Sequence, residues 1–296
     1  MDDKKKLISF GEILWDILPS GQQPGGAPMN VALRAQSLGM ASKIISRVGN
    51  DKFGKDIVQF ISERGAGISL IGESNHLPTG LVKVSLDSNG VASYDIVYPS
   101  AWDRIDLKEE ALAEIKASDV FVFGTLAVRD EYSRKTLFKL IDHAPYSVFD
   151  INLRPPHYDL SIIIELGKKA DLIKLNDEEL LILVQELGSK SESIDENILF
   201  LSKEIECESI CITKGADGAI LYTGDQFYSH PGFKIEVVDT VGSGDSFLAT
   251  LIYHILYHFD YSKALEIACA MGSLVATKQG ANALITNDEI AKLIAN

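Results

Sequence analysis

The chain has 296 residues, 46% hydrophobic and 24% charged, with a formal net charge of −14. Such a length and composition suit one large α/β domain or two small ones around a sizeable buried core. The acidic balance argues against a nucleic-acid or anionic-membrane partner, which would need a basic face, so an anionic substrate must meet a local positive patch or a metal.

Met1-Asp2-Asp3-Lys4-Lys5-Lys6 leads straight into the strand-like Leu7-Ile8-Ser9-Phe10, without the apolar core of a signal peptide, and no apolar run is long enough to span a bilayer. Cys207, Cys211 and Cys269 are odd in number and lack zinc-like partners, which fits reduced thiols used for packing in a soluble cytoplasmic protein.

A first strand is expected over 7–13. Asp16 follows it and can accept hydrogen bonds from a polyol. Pro24-Gly25-Gly26-Ala27-Pro28-Met29-Asn30 then opens a helix over 28–39. Paired glycines let a ligand approach the backbone, and Asn30 can donate and accept toward hydroxyls. Each is an ordinary loop residue taken singly; Asp16, Gly26 and Asn30 together point to a sugar site. After a strand at 43–48, Gly49-Asn50-Asp51-Lys52-Phe53-Gly54-Lys55-Asp56 has the frame of a phosphate loop, but Asp56 stands where Ser or Thr must reach magnesium. It reads as a turn and the start of a helix over 52–65, not as a Walker-type ATP site.

Residues 81–86 and 91–98 alternate as two strands joined through Asp87-Ser88-Asn89-Gly90, and Asn-Gly is a strong hairpin signal. Val82, Val84 and Leu86 share one face, as do Ala92, Tyr94, Ile96 and Tyr98. The hairpin is either an edge of the main sheet or a lid that excludes water from a site.

Helices at 107–117 and 130–143 alternate with strands at 119–124 and 147–151. Asp150-Ile151-Asn152-Leu153-Arg154 ends the latter strand with three polar side chains on one face. Arg154 either steadies phosphate charge or makes a surface ion pair. The strand 171–175 runs into Asn176-Asp177-Glu178-Glu179 at the head of a helix over 176–187. Asn176 is a natural N-cap, and the Asn176-x-x-Glu179 spacing can also hold magnesium through waters. A helix at 194–206 precedes strands at 209–213 and 218–223; between them Thr213-Lys214-Gly215, with Gly218, is a nucleotide contact or a hairpin turn.

The most informative run is Ile235-Glu236-Val237-Val238-Asp239-Thr240-Val241-Gly242-Ser243-Gly244-Asp245-Ser246-Phe247, which enters a helix over 244–259. Gly242 and Gly244 let the backbone N–H groups of 242–244, Ser243 included, converge on an anion, and the helix adds its positive end. Asp245 in the first turn repels a phosphate, so it makes sense as a base that takes a proton from a nucleophile attacking that phosphate. The run fails the dinucleotide fingerprint because Phe247 replaces the third glycine. In the same helix His254 and His258 lie one turn apart but lack the glutamate of a metalloprotease, and a last helix is expected over 261–278. The alternation throughout reads as a mostly parallel sheet covered by helices on both faces, with ligands at the carboxyl ends of the strands.

Together, Gly11-to-Asp16, Gly25-Gly26-x-x-x-Asn30, Gly49-x-Asp51-x-x-Gly54, Asn176-x-x-Glu179 and Asp239-Thr240-x-Gly242-x-Gly244-Asp245 resemble the ribokinase-like, phosphofructokinase-B sugar kinases along essentially the whole chain. The resemblance implies a three-layer α/β/α sandwich over 1–296 with a small β-lid from insertions near 14–25 and 77–103. It implies ATP-dependent phosphorylation of a primary alcohol with Asp245 as base, the 242–244 amides as anion hole, and Asp16, Gly26 and Asn30 on the sugar. By the same carry-over Asn176 and Glu179 organise magnesium and phosphates, and Thr213 and Gly215, with Gly218, approach the nucleotide. A potassium site is implied near Asp239 and the carbonyl of Val241, with the loop around Gly280 contributing. Lids of this family often pair between subunits, which implies a homodimer.

Ribose kinases of the family carry a lysine where this chain has Ala27 and an asparagine where it has Leu14. Gly25-Gly26-Ala27-Pro28-x-Asn30, Asn152-Leu153-Arg154-Pro155-Pro156 and Ala101-Trp102-Asp103 look like fructokinases instead. Fructose phosphorylated at C6 is therefore the expected reaction, with 2-keto-3-deoxygluconate kinase as the runner-up. A non-catalytic sugar sensor is the alternative from another class, and the intact Asp245 weighs against it.

Overall fold

The computed structural model of the protein describes residues 4–18, 21–86, 92–258 and 260–295. Its strands are β1 (Lys6–Phe10), β2 (Leu14–Leu18), β3 (Gly21–Gly25), β4 (Ala41–Gly49), β5 (Ile71–Ser74), β6 (Gly80–Leu86), β7 (Ala92–Ile96), β8 (Val120–Gly124), β9 (Ser147–Asp150), β10 (Leu172–Asn176), β11 (Ile210–Thr213), β12 (Ala219–Thr223) and β13 (Gln226–His230). Its helices are α1 (Ala27–Ser37), α2 (Lys52–Glu63), α3 (Glu109–Lys116), α4 (Glu131–Ile141), α5 (Leu160–Gly167), α6 (Asp177–Glu186), α7 (Ile194–Glu204), α8 (Ser243–His258), α9 (Tyr261–Ala276) and α10 (Asn287–Ala295).

A nine-stranded sheet runs β13-β12-β11-β10-β9-β8-β1-β4-β5. β12 alone runs against the direction of the other eight strands. Successive residues of the inner strands point to opposite faces, as strand geometry requires. Phe121 and Phe123 join a core with Leu137, Leu140, Leu166 and Leu183 of α4, α5 and α6. Val120 and Val122 join the other core with Met29, Leu33, Leu248 and Leu265 of α1, α8 and α9. The result is an α/β/α sandwich. β1 is bonded to both β4 and β8, so the chain reverses its direction of travel across the sheet there. A crevice at the carboxyl ends of strands forms at such a reversal.

The hairpin of β6 and β7 pairs Val82 with Ile96 and belongs to a second, four-stranded sheet ordered β3-β2-β6-β7. It is therefore not an edge of the main sheet. The turn Asp87-Ser88-Asn89-Gly90 lies outside the described residues. Val82, Ile96 and Leu14 pack on Trp102 and Leu126, just beyond β8. Tyr98 leaves that face: it is exposed, and its hydroxyl donates to Asp130 at 2.9 Å. Arg129 locks the end of the hairpin, donating to both oxygens of buried Asp103 and, at 2.8 Å, to the Val97 carbonyl.

The strand expected over 7–13 ends at Phe10, because Gly11 turns the chain with a φ of 144° and lets β2 start in the second sheet. β2, β3, β5, β13, α5 and α10 were not legible from pattern. Asp51 caps α2 by accepting from Gly54 N at 2.8 Å, so the Gly49–Asp56 segment is the turn and helix start that its final aspartate implied.

Candidate active site

Asp245 sits in the first turn of α8, drawn inward by buried Phe247 and Leu248 on the following turn. Gly242, at a φ of 75°, begins the turn, and a Cβ there would clash with Ala281. Ser246 N closes the turn on the Gly242 carbonyl at 2.9 Å, and the Ser243 hydroxyl is buried without a partner. Asn30 Nδ2 donates to Asp245 Oδ2 at 2.8 Å from α1, across 215 residues of chain. Burial pushes the Asp245 carboxyl up to about 6; the charge of Asp150 adds to the rise, while Lys174, the Asn30 bond and Arg154 oppose it.

Gly26 caps α1 with a φ of 115°, and any side chain there would collide with the Glu12 carbonyl. Asp16 on β2 packs on Gly25, where a Cβ has no room. Burial lifts Asp16 to about 6, and Arg154 opposes the shift. Arg154 donates to the neighbouring Leu153 carbonyl at 2.9 Å, and its charge reaches Glu12, Asp16 and Asp245. No ion pair found among the described residues uses Arg154. The fold thus gathers Asp16, Gly26, Asn30, Arg154 and Asp245 at the reversal point.

Two charged residues were missed. Glu12 is 4% exposed; its Oε1 accepts from Ala27 N at 3.2 Å, while Oε2 is buried with no partner. Burial pushes it up to about 7, with Asp245 contributing to the rise. A carboxylate inside Phe10-Gly11-Glu12-Ile13, an otherwise apolar run, was the available signal. Lys174 lies on β10 beside Asp150 of β9, and its Nζ donates to Asp150 Oδ1 at 3.0 Å. Burial alone would lower its pKa, but Asp150, Glu179 and Asp245 together hold it above the ordinary lysine range. A lone lysine within Leu172-Ile173-Lys174-Leu175 was its signal.

Asn176 and Glu179 form a capping box at the head of α6. Asn176 Oδ1 accepts from Glu179 N at 2.7 Å, and Glu179 Oε2 accepts from Asn176 N at 2.9 Å. Glu179 Oε1 also accepts from Leu153 N at 2.6 Å, fixing the loop that carries Arg154. Asp150 Oδ2 is buried with no partner, an acceptor of the kind a hard divalent cation takes. Among the described residues no cage of three or more His, Cys, Asp or Glu side chains converges, so the residues fit magnesium only in company with nucleotide phosphates and water.

Asn176 and Thr213 are register partners at the ends of β10 and β11. Gly215 is open, with nothing within 4 Å of a Cβ, whereas Gly218 is packed so tightly on the His230 carbonyl that only glycine fits. Asp239 joins two loops: Oδ1 accepts from Val241 N at 3.0 Å and Oδ2 from Gly280 N at 2.9 Å. Beyond the Arg154 loop a separate cleft of about 350 Å³ is lined by Tyr98, Thr125, Arg129, Arg134 and His157; it contains none of the residues above.

Similarity to known proteins agrees with this geometry. Over 304 residues the chain is 29% identical to fructokinase-2 of Oryza sativa subsp. japonica, covering 93% of this chain and 89% of that protein. It is 29% identical to probable fructokinase-4 of Arabidopsis thaliana, covering 99% and 97%. The crystal structure of fructokinase with bound ATP from Xylella fastidiosa superposes with a TM-score of 0.86 at 25% identity, covering 99% of both chains. The sequence model of the pfkB family carbohydrate kinases matches residues 19–288, which takes in every strand from β3 onward and the Gly242–Asp245 turn, and the chain belongs to that family.

Proposed function

We propose that this carbohydrate kinase transfers the γ-phosphoryl group of ATP to the C6 hydroxyl of fructose. The observation that carries the reading is the buried Asp245, held by Asn30 one residue beyond the Gly242–Gly244 turn. A carboxylate there has no purpose as a phosphate ligand and a clear one as a proton acceptor. The sugar lies against Asp16, Gly26 and Asn30. Asp245 takes the proton of the attacking hydroxyl, whose oxygen bonds to the γ-phosphorus as the bond to the leaving ADP breaks. The amides of Gly242 and Gly244, the positive end of α8, and Arg154 receive the charge on the group in flight, while the Ser243 N–H, which donates to the Thr240 carbonyl at 3.2 Å, joins them only if it leaves that carbonyl. With its pKa pushed up to about 6, Asp245 is both ionised at pH 7 and basic enough to accept.

Asp150, Asn176 and Glu179 would hold magnesium beside the phosphates, where it neutralises their charge. Asp239, Val241 and the Gly280 loop would hold potassium. Thr213 and Gly215 would meet the nucleotide; the ATP bound to the Xylella fastidiosa relative supports ATP as the phosphoryl donor. In this reading 1–296 is one cytoplasmic kinase domain, the small sheet is a lid, and two lids pair in a homodimer. The fructokinase relatives, with Ala27 and Leu14 in place of the ribose pattern, support fructose.

A coupled ADP-release assay over ketoses, aldoses, keto-acids and nucleosides tests this. Fructose is expected to give the highest kcat/KM. Ribose, adenosine or 2-keto-3-deoxygluconate better by about tenfold would overturn the sugar assignment. Saturable sugar binding by isothermal titration with no turnover would overturn the enzyme reading in favour of a sensor.

A further inference from the structure

Asn30 uses both ends of its amide. Nδ2 donates to Asp245 Oδ2 at 2.8 Å, and Oδ1 accepts from Asn282 Nδ2 at 3.0 Å. Asn30 is 5% exposed, so water does not offer an easy substitute for either partner. Asn282 lies in the loop between α9 and α10, and that loop is anchored on both sides of it. Gly280 N donates to Asp239, and Arg34 donates from α1 to the Ala283 carbonyl at 2.8 Å while its Nε reaches Ser246 Oγ at 3.1 Å. Ala281 is itself packed on Gly242.

An amide is nearly symmetric in shape but not in function. Rotated half a turn, Asn30 would present oxygen to Asp245, which is tolerable only when the carboxyl is protonated and cannot act as a base. We infer that Asn282 is a positioning residue: by donating to Asn30 Oδ1 it fixes the Asn30 amide with its donor end on Asp245 and keeps that carboxylate ready to take a proton. The loop after Gly280 thereby sets the state of the base without touching the substrate. The inference rests on Asp245 being the base. The other charged groups facing Asp245 are Asp150 on β9, Lys174 on β10, Arg154 after β9 and Glu12 after β1, and none of them contacts Asn282 by hydrogen bond or ion pair.

The test is the pH dependence of kcat at saturating fructose and ATP in Asn282→Leu and Asn282→Asp. Leucine removes the donor. Aspartate keeps the shape but offers only acceptors, so it recruits Asn30 Nδ2 to itself. The acid limb should move to higher pH by about one unit in Asn282→Leu and further in Asn282→Asp, with activity recovering at high pH. A uniform loss at every pH, or acid limbs coinciding with the parent's, overturns the inference. Should Asn282→Leu fail to fold, Asn282→Ala, which also removes the donor and adds no charge, takes its place. Asp245→Asn in the same assay separates the two readings. If it stays active, Asp245 is not the base; if it is inactive while the Asn282 limbs do not move, only the role of Asn282 falls.

Discussion

Lys174 lies directly beneath Gly244: a Cβ added to that glycine would sit 3.2 Å from the lysine Nζ. The turn that forms the proposed anion hole is therefore backed by a buried cation, which is itself paired to Asp150 at 3.0 Å. The arrangement puts a buried cation behind that turn, shared with Asp150, Glu179 and Asp245.

Lys174→Met should expose both roles of that lysine. Removing one partner of a buried pair leaves Asp150 uncompensated, at a cost of about 3–5 kcal/mol measurable by denaturant melts. The acid limb of kcat should also move to higher pH, because Asp245 loses the ammonium that lowers its pKa and keeps Asp150, which raises it. Adding Asp150→Leu should return much of the stability and none of the turnover. A single variant as stable as the parent would mean that the pair carries no such strain.

Asp245→Asn addresses the proton. Asparagine keeps the shape and can still accept from Asn30, so both KM values should hold while kcat falls by about 10²–10⁴-fold. In the parent, kcat should be full above the pKa of about 6 and fall as pH drops through it, since the base must be ionised. A loss of turnover below about fivefold in the variant would place the base elsewhere.

The glycine turn and its aspartate were legible because their spacing is local, all within one turn of α8. The apolar run of β8 was equally plain, since both faces of that strand are buried by helices. What could not be read depends on distant pairing. Asn282 is an unremarked loop residue until Asn30, 252 positions away, meets it. Gly21-Gln22-Gln23-Pro24-Gly25 has no strand propensity and becomes β3 only because β2 offers it a ladder from Leu14 to Leu18. α5 hides behind Ile162-Ile163-Ile164, a β-branched run whose helical state is set by the Asp159 cap, which accepts from Ser161 N at 2.8 Å.

Glu12 should report on stability. Its folded pKa is raised to about 7, so the folded state holds a proton that the unfolded chain releases at lower pH. That contribution is complete below the ordinary glutamate range and is lost as pH rises through about 7. Glu12→Gln removes the loss. The variant should be more stable than the parent at pH 8, by about 1–3 kcal/mol, and nearly equal to it at pH 4. Denaturant midpoints at the two pH values check this. A gain at pH 4 that disappears at pH 8 would mean that Glu12 is ionised and stabilised in the folded protein.

The small sheet should move when sugar binds. Leu14, Val82 and Ile96 on its inner face rest on Trp102 and Leu126 at the carboxyl end of β8, close to the reversal point where the sugar is placed. An apolar contact of this kind slides without leaving a polar group unpaired, whereas Asp103 and Arg129 anchor the hairpin's end. Closure would shield the γ-phosphoryl group from water once sugar is bound, so that transfer to the sugar outruns hydrolysis. The chain has two tryptophans: Trp102 lies in this contact, whereas Trp15 on β2 packs on Phe53 and donates to its carbonyl, so Trp102 is the direct reporter and Trp15 senses the sheet from its other side. Fructose should change tryptophan emission saturably, with a midpoint matching its dissociation constant, and Trp102→Phe should leave a smaller response from Trp15. Unchanged emission from both, while isothermal titration shows the sugar bound, would mean that the sheet is a fixed wall of the site and not a lid.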